Sequence, residues 1–178
     1  MQPRLAISSD DFTLFGLPQR HALDRAALDG RRRELQAEVH PDRFAAEGAA
    51  AQRVAMQWAV RVNEAWQRLR DPLRRAAYLC ELRGVPVEAE RNTAMPPAFL
   101  VQQMQWREEL EEAADAAAVG RLDEAVAAVE RRGLDRLTAL LDEQGDAAGA
   151  AAQVRALMFV ARFREDIARR LEALEPPR

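Results

Sequence analysis

Apolar residues recur along this chain at the three- and four-residue spacing of a helix face. Ala55, Trp58, Val62, Ala65, Trp66 and Leu69 form the clearest such stripe and predict a helix from about Ala50 to Arg70. Before it, a short segment from Asp10 to Leu17 is closed by Gly16 and Pro18. Asp24 is placed to cap a helix through Val39, and Gly48 marks the loop that follows. Asp71 and Pro72 read as N-cap and first-turn proline of a fourth helix, which reaches Arg83 and stops at Gly84. Residues 84–94, with Pro86 and several charges, read as a linker. Pro96 and Pro97 then open a long helix ending near Gly120, another spans roughly Leu122 to Glu143, and a last one roughly Ala148 to Leu174. Short connections make these three antiparallel neighbours. The expectation is an all-α chain: a helical hairpin with short flanking helices in residues 1–83, the linker, and a three-helix bundle in residues 95–178.

Three helix faces carry information beyond the fold. In the segment after Asp24, Leu28, Leu35 and Val39 share the core face, Arg25, Arg32 and Arg33 lie on one flank, and Glu34 and Glu38 lie on the other. A polarised surface of this kind steers toward an acidic partner. Asp29 stands four residues from both Arg25 and Arg33, so intrahelical pairs worth about 0.2 to 0.5 kcal/mol each are a second reading compatible with the first. After Pro97, Phe99, Trp106, Leu110, Ala113 and Ala117 cluster on the side a bundle buries. Leu100, Val101, Met104, Gln105 and Glu108 cluster nearly opposite. Apolar side chains facing away from the core, rimmed by Gln105, Glu108 and Arg107, suit a partner; a broader core or dimer packing is the alternative. In the last helix Leu157, Val160, Ile167 and Leu171 centre the buried face, and Phe159 sits about 100° from it, at the edge.

Composition narrows the function classes. With 178 residues, 48% of them hydrophobic, the chain can bury one or two modest cores. No apolar run reaches membrane-spanning length and the N-terminus lacks signal- and transit-peptide patterns, so a cytoplasmic location is expected. All 26 basic residues are arginine. Residues 1–83 hold 14 of them against 11 acids, net +3, and residues 84–178 hold 12 against 18, net −6. A mildly basic half fits an acidic protein better than nucleic acid, for which a domain pI above about 9 is expected. The two serines, Ser8 and Ser9, the lone Cys80 in a helical apolar context, and a loop His21 without a neighbouring nucleophile draw no acyl-transfer site. A single cysteine makes no zinc site, and the Glu108-Glu109 and Glu111-Glu112 runs beside Arg107 read as a solvated face. No catalytic residue, metal or cofactor is expected.

The tripeptide His40-Pro41-Asp42 ends the first long helix. Proline removes a backbone donor and pushes its predecessor out of the α region, so a helix running through Glu34 and Val39 stops at about His40. An imidazole and a carboxylate are then left exposed on a tight corner.

The run Leu35-Gln36-Ala37-Glu38-Val39-His40-Pro41-Asp42-Arg43-Phe44, followed by Val62-Asn63-Glu64-Ala65-Trp66-Gln67-Arg68-Leu69-Arg70-Asp71-Pro72-Leu73-Arg74-Arg75-Ala76-Ala77-Tyr78-Leu79, resembles the J-domain of DnaJ-type co-chaperones. Asp71-Pro72, Arg75-Ala76-x-Tyr78-Leu79 and a helical second half are similar to the HscB branch, the co-chaperones of iron–sulfur cluster assembly. The resemblance spans nearly the whole chain. It implies a J-domain that stimulates the ATPase of a DnaK-class (HscA-type) chaperone through His40, Pro41 and Asp42 with Arg25, Arg32, Arg33 and Arg43. It also implies a C-terminal domain that binds an IscU-type cluster scaffold through Leu100, Val101, Met104, Gln105, Glu108 and Phe159. Val101 and Gln105 depart from the family's usual leucine-and-acid pattern. A general J-protein serving unfolded chains is the rival reading, weakened by the absence of a Gly/Phe-rich or Cys-rich region. A purely structural helical adaptor is a third, and it leaves the exposed corner without a purpose.

Overall fold

The structure, a computed structural model, describes residues 6–88, 95 and 97–174. Seven α-helices run in the order α1 Asp11–Phe15, α2 Arg25–Glu38, α3 Ala49–Arg70, α4 Pro72–Leu82, α5 Pro97–Glu112, α6 Ala116–Thr138 and α7 Ala147–Leu174, and no strand occurs among the described residues. A 3₁₀ helix, Pro41–Glu47, joins α2 to α3, and a π-helical turn, Ala139–Glu143, ends α6. The all-α expectation holds. The chain divides into two compact units, Met1–Tyr78 and Leu79–Arg178. The expected boundary at Gly84 follows the end of a helix, whereas the compact units divide earlier, inside α4. The last turn of α4 bonds within the second unit: Cys80 Sγ–H points at the Ala147 carbonyl and Arg83 Nη1 donates to Leu141 O at 2.7 Å.

In the first unit α2 and α3 form the hairpin, and α1 packs against both. Local chemistry sets the ends. Asp10 accepts the Thr13 N–H and Gly16 closes α1 with φ +63°, a left-handed conformation that costs glycine little. Asp24 accepts the N–H groups of Ala26 and Ala27, and Asp71 those of Leu73 and Arg74 ahead of α4. The core collects Phe12, Leu14, Phe15, Leu28, Leu35, Val62, Ala65, Leu69 and Ala76, the Phe, Leu and Val side chains contributing about 1.5 to 3 kcal/mol each when fully buried. Of the expected α3 stripe, Trp58 is only half-buried, and Val39, expected on the α2 core face, is half-buried at the C-cap.

Two polar nodes tie this unit together. Asp11 is fully buried between Arg61, 2.6 Å away, and Arg68, 3.0 Å away, while its N–H donates to Tyr78 Oη. His21 is buried, with Nε2 3.0 Å from Pro72 O, and its own carbonyl accepts Arg75 Nε–H at 2.7 Å.

The second unit is the three-helix bundle, with one correction. The helix after Pro97 ends at Glu112, not near Gly120; residues 113–115 break it and Gly120 lies inside α6. Asp115 accepts the Ala118 N–H and starts a new helix, and nothing approaches within 4 Å of where a Gly120 Cβ would stand. The break also moves Ala117 from the expected core stripe to the surface, while Val119 and Leu122 are buried instead. The core joins Trp106, Ala113, Val119, Leu122, Val126, Val160, Phe163 and Ile167. Within it Trp106 and Phe163 stack with centroids 5.7 Å apart. Of the segment expected to be a linker, Val87 is buried and its carbonyl accepts Arg155 Nη1–H at 2.9 Å; residues 89–94 lie outside the described residues.

Candidate interaction surfaces

The corner between α2 and α3 is organised by its own residues. His40 has left the helix, φ −62° and ψ 127°, as a residue before proline must. Pro41 supplies the first 3₁₀ position, where its missing N–H is no loss. His40 Nδ1 accepts the Asp42 N–H at 3.3 Å, and an Asp42 carboxylate oxygen lies 3.6 Å from the same nitrogen. The side chains of His40 and Asp42 are 59% and 91% exposed. Arg43 turns back and donates to the Ala37 carbonyl at 3.0 Å, tying the corner to the end of α2. Beneath, Leu14, Leu35, Val39, Phe44, Val54 and Trp58 line a cavity of about 470 Å³ that sequence periodicity could not foresee, because its walls come from four segments.

The arginines of α2 differ in their surroundings. Arg25, half-exposed, donates to Asp29 at 2.8 Å, so the intrahelical pair is present. Arg32 lies 3.6 Å from the Trp66 ring centroid and reaches Asn63 Oδ1 at 3.4 Å. Arg33 is exposed. The Trp66 indole N–H and the Arg25 guanidinium, with the charge of Arg33 nearby, hold the Asp29 carboxyl below its ordinary pKa. Sequence reasoning missed Trp66 as the platform beneath these charges, although its place on the α3 stripe opposite α2 was the available signal.

On α5 the two faces separate as the wheel requires. Trp106 is buried, whereas Leu100, Val101 and Met104 are 46%, 54% and 68% exposed, with Gln105 and Glu108 exposed beside them. Three uncovered apolar side chains within five residues are an interface feature rather than a core one. Phe159 is half-buried at the bundle edge. Its ring meets Phe99 edge-on at 5.9 Å and stacks on Phe163 at 6.4 Å, with the Arg107 guanidinium 5.8 Å from its centroid. It therefore belongs to the aromatic cluster of the core and also borders the α5 edge that carries Arg107.

Among the described residues no group of three or more His, Cys, Asp or Glu side chains could hold a metal ion, and no helix is long and apolar enough to cross a membrane. Cys80 is buried, and that burial raises its thiol pKa, which disfavours the thiolate form.

Residues 95–168 match the family model described as the HSCB C-terminal oligomerisation domain. The chain is 55% identical over 174 residues to a protein of Burkholderia mallei (strain SAVP1) named co-chaperone protein HscB homolog, covering 96% of this chain and 99% of that protein. Its structure is similar to that of chaperone HscB from Vibrio cholerae, with TM-score 0.80, 38% identity, and 94% and 100% of the two chains covered. The crystal structure of human co-chaperone protein HscB superposes with TM-score 0.86 at 27% identity, covering 92% of this chain and 83% of that one.

Proposed function

Because this chain belongs to the HscB family of co-chaperones, we propose that it stimulates the ATPase of a DnaK-class (HscA-type) chaperone and delivers to it an IscU-type iron–sulfur cluster scaffold, in the cytoplasm. The observation that carries the first half is the His40-Pro41-Asp42 corner, rigidly capped yet exposed at the end of a helix that bears arginines. Such a corner has no folding role that requires its exposure. His40, Pro41, Asp42 and Arg43, with Arg25, Arg32 and Arg33, are the chaperone-facing residues in this reading.

The mechanism is regulation by differential binding. The corner favours the hydrolysis-competent arrangement of the chaperone, and each tenfold gain in its rate needs about 1.4 kcal/mol of barrier lowering. ATP and the catalytic residues belong to the partner; this chain carries out no reaction of its own. The uncovered face of α5, Leu100, Val101, Met104, Gln105 and Glu108, with Phe159 at its border, is the scaffold-facing surface. Having both surfaces on one chain makes the encounter of scaffold and chaperone intramolecular, at an effective concentration that reaches about millimolar for a short connection. Residues 1–83 are the J-domain in this reading, and residues 95–178 the scaffold-binding domain.

The test is the steady-state ATPase of a DnaK-class chaperone titrated with this protein, alone, with a folded cluster scaffold, and with an unfolded peptide. Stimulation that rises with the scaffold and not with the peptide supports the reading. Rise with the peptide instead establishes the general J-protein rival.

A further inference from the structure

Trp66 gathers cations from both helices of the hairpin. The guanidinium of Arg32 lies 3.6 Å from its ring centroid, that of Arg70 4.5 Å, and that of Arg25 5.8 Å. Arg25 and Arg32 come from α2, whereas Arg70 is the last residue of α3, 45 and 38 positions further along the chain. Among the described residues, the carboxylate bonded into this group is Asp29, which accepts Trp66 Nε1–H at 2.7 Å and Arg25 Nε–H at 2.8 Å. Three guanidinium groups against one carboxylate leave a local surplus of positive charge. Asn63, which Arg32 also reaches, is neutral and removes none of it.

Holding like charges this close opposes folding unless something offsets it. The indole face does so in part, since its quadrupole attracts each cation. Stacking also leaves the planar N–H edges of a guanidinium available, the edges that carboxylates bind in bidentate fashion. Trp66 is itself buried, so the platform does not move, whereas Arg25 is half-exposed and Arg70 is exposed. The arginines are thus ordered before any partner arrives, and less rotamer entropy is lost when one does.

We propose that Trp66 is the positioning residue of a carboxylate-recognising surface spanning both α2 and the end of α3, on which Arg70 contacts acidic side chains of the chaperone together with Arg25 and Arg32. This deepens the proposed function and rests on its reading that the basic side of α2 meets the chaperone. It adds a residue from the other helix, and it explains why an aromatic that could serve the core alone is bonded to a carboxylate and ringed by cations. The Asp29 carboxylate, kept ionised by the indole N–H and Arg25, orients Arg25 without neutralising the group.

The experiment uses the full chain in chaperone ATPase titrations at low and moderate salt. Arg70→Gln is expected to raise the half-maximal concentration about 2- to 10-fold at low salt and to flatten its salt dependence, with the plateau rate kept. Arg70→Lys, which keeps the charge without the planar stack, should fall between the two. Trp66→Phe should raise the half-maximal concentration with the parent's salt dependence, because every charge remains. Thermal melting and scaffold binding of the Arg70 variants should match the parent, which separates a docking role from a structural one. An Arg70→Gln protein with the parent's half-maximal concentration and salt slope, while His40→Gln abolishes stimulation, overturns the proposal and leaves the functional reading standing. If His40→Gln also stimulates normally, the functional reading fails and this surface falls with it.

Discussion

The imidazole Nδ1 of His40 accepts the backbone N–H of Asp42 at 3.3 Å, so the first residue of the exposed tripeptide holds the third in place. An accepting Nδ1 puts the proton of the neutral ring on Nε2, and an Asp42 carboxylate oxygen lies 3.6 Å from Nδ1. Proline between them fixes the backbone at a first-turn position, where its missing N–H removes no helical hydrogen bond. The three residues act as one preorganised unit, and a change in either end alters how the other is presented.

His40→Gln and Asp42→Asn are therefore each expected to lower stimulation of the chaperone ATPase by about tenfold or more. Both residues are exposed, so the cost to folding should be about 1 kcal/mol or less, the loss of one cap in His40→Gln and of none in Asp42→Asn. Circular dichroism and thermal melting check the second part. A variant that loses much of its helicity would assign the corner a structural role.

Leu100→Ser and Met104→Ser should weaken scaffold binding by more than about 1 kcal/mol, measured by calorimetry, with stimulation in the absence of scaffold intact. Both side chains are substantially exposed and so should leave the melting temperature close to the parent's. Cooperative melting far below the parent would show that they serve the core. Gln105→Glu restores the acid of the family pattern, and tighter binding by that variant is expected if an ion pair contributes at this face.

The same substitution at two glycines of α6 should have opposite signs. A Cβ on Gly133 would stand 2.6 Å from Leu157 Cδ2 and 2.8 Å from Gln153 Nε2, so Gly133→Ala should destabilise by about 1 to 3 kcal/mol as α6 and α7 are pushed apart. Gly120 has open space around it within a helix, and Gly120→Ala should stabilise by about 0.5 to 1 kcal/mol. Chemical denaturation of the two variants beside the parent tests the pair, and a Gly133→Ala protein as stable as the parent would refute the close approach.

Acid should weaken the first unit through Asp10 and Asp29. At Asp10, burial raises the pKa but is outweighed by hydrogen bonds from Thr13, Gln19 and Phe12; at Asp29, the bonds from Trp66 and Arg25 lower it. Both folded-state values thus lie below the ordinary 3.8. The stability these carboxylates contribute is complete above about pH 4 and is lost as pH falls through their lowered values, because the unfolded chain takes up protons first. The Asp10→Asn/Asp29→Asn double variant should accordingly lose less melting temperature than the parent between about pH 5 and pH 2.5. Parallel curves would remove these two groups from the acid response.

Local chemistry made much of this fold legible in advance. Asp24, Asp71, Gly16, Gly84 and Pro72 end or start helices through groups within a few residues of themselves, and the α3 stripe is a period any window of the chain displays. The outward face of α5 was readable for the same reason, since the position of a side chain around a helix follows from its number alone. Gly120 misled because glycine is only a weak helix breaker, while Asp115, three residues before the N–H it caps, was the stronger signal.

The sequence by itself determined the helix ends, the faces and the exposed tripeptide, because capping, proline geometry and helical periodicity act over a few residues. Only the tertiary structure decided which distant charges meet. Asp11 is buried between Arg61 and Arg68, Trp66 collects Arg32 and Arg70 around the Asp29 bond, and α4 divides between two compact units. These relationships depend on how helices 30 to 60 positions apart are packed, and a buried charge or a stacked cation has no local signature until that packing removes water from around it.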